Sequence, residues 1–217
     1  MYIRLVYLGN IHRVSIILVF MSLFFLLSCG RDIESSMDTY GHMPDFSVKD
    51  QYGLDFERND MIGKVVLIDF IYTNCTDSCS VLSSRMKDVQ QSIKKIDEGN
   101  SDVFLLSFSV DASRDSPDVL LSYAEKYNNN KQNWKFLTGS QEIIADVAKD
   151  LKLPFHDAVV NTEHIHEDGS VHFHEYEIRH SDRILLVDKS GMIRRYYDPI
   201  GQWNIEDVVA DVQYLLR

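Results

Sequence analysis

Positive charge is in short supply along this chain. Its 217 residues carry 22 lysines and arginines against 33 aspartates and glutamates, and the basic residues form no cluster. That deficit excludes an electrostatic nucleic-acid binder, which needs a basic face or stripe. Proline is also scarce, at four residues, in a chain that is 45% hydrophobic and 25% charged. This composition is that of a folded domain, and the length suits one domain plus a tail. Cysteine is limited to Cys29, Cys75 and Cys79. Three is an odd number, so one of them serves something other than an internal pair. A long apolar run is missing too. Residues 16–27 are almost unbroken apolar sequence, but the stretch is short for a membrane span.

What is present at the N-terminus fits an export signal. Arg4 and Arg13 precede the apolar stretch, and Leu-Leu-Ser-Cys closes it at Cys29. A short h-region behind positive charge reads as a signal peptide over residues 1–28. The closing tetrapeptide resembles the lipobox of bacterial lipoproteins, which implies lipidation of Cys29. An uncleaved anchor with Cys29 a bystander is the alternative, and both export the domain and hold it at the membrane. Losing residues 1–28 removes two arginines and no acids, so the mature chain is two charges more negative. Residues 29–43 are polar and aperiodic, a flexible tether. The domain is expected over residues 44–217, facing the periplasm or the cell exterior.

Within the domain, KVVLIDFIY (64–72) and DVFLLSFSV (102–110) are apolar runs of strand length. Residues 78–97 place Val81, Leu82, Met86, Val89, Ile93 and Ile96 on one helical face. This is a βαβ unit with parallel strands. A helix over 115–127 follows, with Ser116 as N-cap and Pro117 at its first position. Then come a strand (134–139), a helix (140–151), a hairpin of strands 182–188 and 192–198, and a closing helix (204–216). A parallel half followed by a hairpin and helix resembles the thioredoxin pattern. The fold class is α/β, a central mixed sheet flanked by helices, with a His-rich hairpin inserted before the last β-hairpin.

That order puts Cys75 just after the central strand and Cys79 in the first turn of the next helix. A helix N-terminus favours thiolate, so both thiols are expected to be acidified there. Thiolates attack disulfides and also bind metal, so the position leaves a redox pair and a metal site both open. Three residues separate the cysteines, where the familiar redox spacing has two. Two thiolates make only part of a metal site, and histidine is the natural completion. His180 stands in IRHSDRILLVD, just before a strand. Thioredoxin-like oxidoreductases resemble one another in carrying a cis-proline there, and this chain has none.

DFIYTNCTDSC, SVDASRDSP and RHSDRILLVDKSG, in this order, resemble the SCO/SenC family of copper-binding thioredoxin-fold proteins, which help assemble the copper centre of cytochrome c oxidase. The resemblance covers residues 44–217. It implies copper, as Cu(I) or Cu(II), held by Cys75, Cys79 and His180, with a redox-active Cys75–Cys79 pair and no catalytic residue. It implies as partner the copper-bearing oxidase subunit or another copper carrier. Asp77 is the acid between the cysteines. Asp111, Arg114 and Asp115 match the family's next motif, either close to the copper site or at a partner surface; capping and turn structure is the competing reading. Thr76 and Ser80 stand where family members often carry proline.

EHIHEDGSVHFHEYEIRH (163–180) has two His-x-His pairs around a turn, the form of a β-hairpin. Register decides its chemistry. A loop of even length sets the pairs on opposite faces; a loop of odd length sets His164, His166, His172 and His174 on one face, suited to Cu(II), Zn(II) or Ni(II). A copper chaperone is the reading the sequence favours. A membrane-tethered thiol–disulfide oxidoreductase acting on partner cysteines is the alternative, ahead of a peroxiredoxin-like peroxidase, whose spacing is missing, and a redox or copper sensor.

Overall fold

Seven consecutive buried residues, Val65–Ile71, form the centre of the sheet. A computed structural model describes residues 37–75, 79–96, 102–127, 133–156, 162–165, 171–174 and 178–217. In chain order its strands are β1 (Gly41–His42), β2 (Ser47–Asp50), β3 (Asp55–Glu57), β4 (Val65–Ile71), β5 (Val103–Ser109), β6 (Trp134–Thr138), β7 (Thr162–Ile165), β8 (Val171–His174), β9 (Ile184–Val187) and β10 (Met192–Tyr197). Its helices are α1 (Cys79–Ile93), α2 (Pro117–Tyr127), α3 (Gln141–Asp150) and α4 (Ile205–Leu216), with a 3-10 turn at Arg58–Met61.

Both faces of β4 are covered, which is why its sequence is a continuous apolar run and does not alternate. It pairs in parallel with β5 from Val65↔Val103 to Ile71↔Ser109, and β5 pairs in parallel with β6. On its other side β4 runs antiparallel to β9, with Ile68 opposite Leu185. The eight-stranded order is β1-β10-β9-β4-β5-β6-β2-β3. This is the mixed thioredoxin-like sheet that the element order predicts.

Helix α1 buries Cys79, Leu82, Met86, Val89 and Ile93, a three-four-three-four spacing that keeps one stripe against the sheet. Each such side chain contributes about 1.5–3 kcal/mol of transfer free energy, so Leu82→Ala would open a costly cavity there. Val81, expected on this face, is exposed. The helix is also shorter than the expected 78–97. After Ile93 the chain tightens, with the Ile96 N–H donating to the Ile93 carbonyl at 2.8 Å, as helix ends often do. Pro117 opens α2, where its missing N–H costs nothing. The Ser116 carbonyl accepts the first helical bond, from Leu120 N–H at 2.9 Å. The Ser140 side chain caps α3 by accepting from Ile143 N–H, and Asn204 caps α4 by accepting from Glu206 N–H.

Two differences from expectation concern short strands. The segment assigned to the tether enters the sheet: Gly41 and His42 pair with β10, and Tyr40 N–H donates to the Ile193 carbonyl at 2.9 Å. One compact unit spans Met37–Arg217. A two-residue strand has no periodicity to read; the open edge of β10 recruits it. The β2–β3 hairpin is also short, and β2 adds to the sheet beside β6. Its turn is built by Asp50, whose Oδ1 accepts from Tyr52 N–H at 2.9 Å and Leu54 N–H at 3.0 Å. The β9–β10 turn was expected, and there Gly191 takes φ 85°, a conformation that favours glycine.

Candidate metal centre

Topology assembles the centre. Cys75 follows β4, Cys79 opens α1, and His180 precedes β9. Because β9 runs antiparallel beside β4, the residues entering β9 lie next to those leaving β4. The sulfurs of Cys75 and Cys79 and a ring nitrogen of His180 all lie within 4.8 Å of one another. Among the described residues this is the one group of three or more His, Cys, Asp or Glu side chains so placed. The two sulfurs are not bonded to each other.

His180 is held in one orientation. Its Nδ1 lies 3.1 Å from the Ser181 carbonyl, so Nδ1 carries the proton and donates. Nε2 is left 3.2 Å from the Cys79 sulfur. Fixing one nitrogen to free the other is how a ligating imidazole is prepared. The ring meets Tyr72 edge-on, at 5.8 Å between centroids.

The expected acidification of both thiols does not hold for Cys79. Its pKa is pushed up, first by its hydrogen bond with Cys75, then by burial and by the charge of Cys75. Two thiols this close cannot both be ionised cheaply without a cation between them, so Cys79 keeps its proton in the metal-free site. Burial works to lower the His180 pKa, but the hydrogen bond with Cys75, the bond to Ser181 and the charge of Asp182 outweigh it, and the net shift is upward. Metal binding must therefore displace protons.

Around the donors are groups the sequence reading missed. Tyr72 is buried, and its hydroxyl is pushed up in pKa by burial and by Cys75, with which it shares a hydrogen bond. Asp69, fully buried in β4, has its pKa raised to about 7 by desolvation. Its Oδ1 accepts from Ser107 Oγ at 2.5 Å, which in turn accepts from Trp134 Nε1 at 3.0 Å, while Asp69 Oδ2 has no hydrogen-bond partner among the described residues. An acid inside a run such as VVLIDFI was the available signal, since buried carboxyls are rare without a purpose.

The other predicted residues divide. Asp115 is buried and clamps the cysteine loop. It accepts from Thr73 N–H at 3.0 Å, Thr73 Oγ1 at 2.5 Å and Ser109 Oγ at 2.5 Å. Asp111 shapes the turn after β5, accepting from Ser113 Oγ at 2.9 Å, and Arg114 reaches it at 4.0 Å. Asp77, Cys29 and His166 lie outside the described residues. His164, His172 and His174 lie on β7 and β8, a separate two-stranded sheet. No helix among the described residues is long and apolar enough to cross a membrane.

A sequence profile of the SCO1/SenC family matches residues 35–217. The chain is similar to an SCO1 protein homolog of Bacillus subtilis strain 168, 32% identical over 190 residues, 87% of this chain and 90% of the relative. Its fold is similar to that of a SCO1/SenC family lipoprotein from Bacillus anthracis, with TM-score 0.66, 28% identity and coverage of 82% of this chain and 96% of that one. It is also similar to BsSco, a member of the Sco family of cytochrome c oxidase assembly proteins in which a disulfide switch was identified. That match has TM-score 0.62 and 30% identity, and covers 83% of this chain and 96% of that one. Bradyrhizobium japonicum ScoI with copper bound shares the fold at TM-score 0.62 and 24% identity, over 82% of this chain and all of that one.

Proposed function

Because the chain belongs to the SCO1/SenC family, we propose that it carries one copper ion on Cys75, Cys79 and His180. It delivers that ion during assembly of the cytochrome c oxidase copper centre, to the copper-bearing subunit or to another carrier. The observation that carries this reading is the convergence of two sulfurs and one imidazole nitrogen within 4.8 Å. Thiolate is soft and suits Cu(I), which accepts three donors; the same set can hold Cu(II). Structural zinc wants a fourth ligand. Asp115 and Tyr72 act on the donors rather than on the ion: Asp115 fixes the loop through Thr73, and Tyr72 packs against His180. Lipid on Cys29 would keep the carrier on the membrane, on the periplasmic or outer side, in line with the lipoprotein from Bacillus anthracis.

A second reading has an observation of its own. Two unbonded cysteine sulfurs this close can form a disulfide by thiol–disulfide exchange, passing two electrons and two protons to a partner disulfide that leaves as two thiols, and BsSco has a disulfide switch. Oxidation would forfeit two of the three copper donors, so copper carriage needs the reduced pair. The deciding experiment titrates Cu(I) anaerobically into the reduced full chain against a competing chelator, with Cys75→Ala, Cys79→Ala and His180→Ala beside it. One tight equivalent, weakened in all three variants, is expected. Undiminished binding in the variants, together with brisk disulfide reduction by the parent, would favour the oxidoreductase.

A further inference from the structure

One end of the sheet carries all three metal donors, and a further loop arrives there. Tyr197, the last residue of β10, pairs with Ile184, the first residue of β9, and His180 leads into β9. The chain after Tyr197 therefore leaves the sheet on the donor side. Asp198 shapes this loop: its Oδ1 accepts from Ile200 N–H at 3.2 Å and from Gly201 N–H at 2.8 Å. Gly201 permits the close approach, since a Cβ there would sit 2.5 Å from Asp198 Oδ2. The loop ends at Trp203, which packs partly buried against the core and edge-on to Tyr197, at 6.5 Å between centroids. Between these fixed points Ile200 is held 50% exposed.

Helix α1 completes the surface. Arg85 lies over the Trp203 ring, its guanidinium carbon 5.8 Å from the ring centroid. Val81, one turn earlier on the same side of the helix, is 42% exposed and stands two residues after the donor Cys79. Arginine and tryptophan are residue types that protein interfaces enrich and that carry much of their binding energy. Arg85 also lacks a counter-charge. Its Nε is buried without a hydrogen-bond partner among the described residues, and it takes part in no ion pair there. Arg58 and Arg194 have the same unpaired Nε, but each directs a terminal nitrogen at a carboxylate, Asp45 and Asp188. In a chain with 33 acids against 22 bases, an arginine left unpaired beside exposed apolar groups is prepared for a carboxylate from outside.

We propose that Val81, Arg85, Ile200 and Trp203 form the docking surface for the protein that receives copper from Cys75, Cys79 and His180, and that this partner presents a carboxylate to Arg85 from within an apolar patch. The cargo rests on the copper-carrier reading of that centre; the surface rests on exposure, charge and place. A partner seated here covers the Cys79 end of α1, so its own donors can reach the ion without release of the ion to water. Val81 and Ile200 exclude water around the pair. A guanidinium already laid on an indole loses little freedom when a carboxylate bonds it through two nitrogens. One cation in an acidic chain is too little for an anionic membrane or a nucleic acid, which call for clusters of basic residues.

The test titrates the reduced, metal-free soluble domain of the same organism's copper-bearing oxidase subunit into the reduced, metal-free full chain, by calorimetry, so that docking is read apart from copper. A complex with the parent is expected. Arg85→Gln and Ile200→Asp should each weaken it about tenfold or more, and Arg85→Glu more than Arg85→Gln, because reversal sets like charges together. Leu54→Asp should leave it unchanged: Leu54 is 62% exposed on the turn after β2, which the register Lys49↔Thr138 and Asp50↔Leu137 directs to the far end of the sheet. A separate anaerobic titration should find the parent's Cu(I) equivalent in every variant, which reports that the centre and the fold survive. Absence of a complex with the parent, or equal affinity in Arg85→Gln and Ile200→Asp, overturns the proposal. So does self-association of the parent that Ile200→Asp abolishes, which would give the surface to a second copy. Arg85→Glu no weaker than Arg85→Gln overturns the carboxylate. Failure of the carrier reading would look different: a parent that docks through these residues but takes up no Cu(I).

Discussion

Replacing Asp69 by asparagine should change how stability depends on pH. Burial raises the Asp69 pKa from 3.8 to about 7, so the native state holds a proton there that the unfolded chain gives up. The stability linked to that proton is fully present below about pH 4 and is lost as pH rises to about 7, with no further loss above. A shift of about 3 units corresponds to about 4 kcal/mol across that window. Asparagine is neutral throughout, keeps an acceptor for Ser107 Oγ, and places an amide where Oδ2 has no partner among the described residues. The unpaired amide costs about 1–3 kcal/mol, but that cost does not vary with pH. The observable is the change with pH: relative to the parent, Asp69→Asn should gain about 4 kcal/mol between pH 4 and pH 8. Urea denaturation of both proteins, reduced and metal-free, at pH 4, 6 and 8 measures it. His180 is present in both chains and contributes to both. Parallel pH profiles for parent and variant would refute the assignment of a protonated, desolvated carboxyl to Asp69.

Further outcomes follow from the same contacts. Asp115→Ala strands the Thr73 N–H, Thr73 hydroxyl and Ser109 hydroxyl; a loss of about 3 kcal/mol or more in urea denaturation and weaker Cu(I) retention against a chelator are expected, and unchanged retention would show that the clamp does not position Cys75. Tyr72→Phe keeps the ring beside His180 but removes the hydroxyl bonded to Cys75; Cu(I) stoichiometry should stay at one in anaerobic titration, and its loss would show that the hydroxyl is needed to hold the donors. Gly191→Ala places a side chain at φ 85° and should lower stability by about 1–2 kcal/mol, measured as a fall in urea midpoint at unchanged slope.

Much of this protein was legible in residue order alone. The parallel βαβ unit, the capped helices and the β9–β10 hairpin are local patterns: apolar runs, a 3.6-residue stripe, Ser140 and Asn204 ahead of helices, and a turn glycine. The cysteine pair at the start of α1 was legible for the same reason, since both residues sit in one short segment. The strand at Gly41–His42 was not, because two residues carry no period and only the open edge of β10 gives them a partner. The elevated Cys79 pKa was not legible either. A helix N-terminus argues for acidity, and only the neighbouring sulfur and the burial reverse it.

The sequence by itself determined which donors exist: two thiols, a histidine ahead of a strand, and four imidazoles around a turn. Tertiary structure decided which of them meet. Antiparallel β9 beside β4 brings His180 to the cysteines across about a hundred residues of chain, and the β7–β8 register sets His164 opposite His172. Local patterns follow from the energies of neighbouring residues, whereas a site drawn from distant segments depends on how the whole sheet is threaded and in what register it pairs.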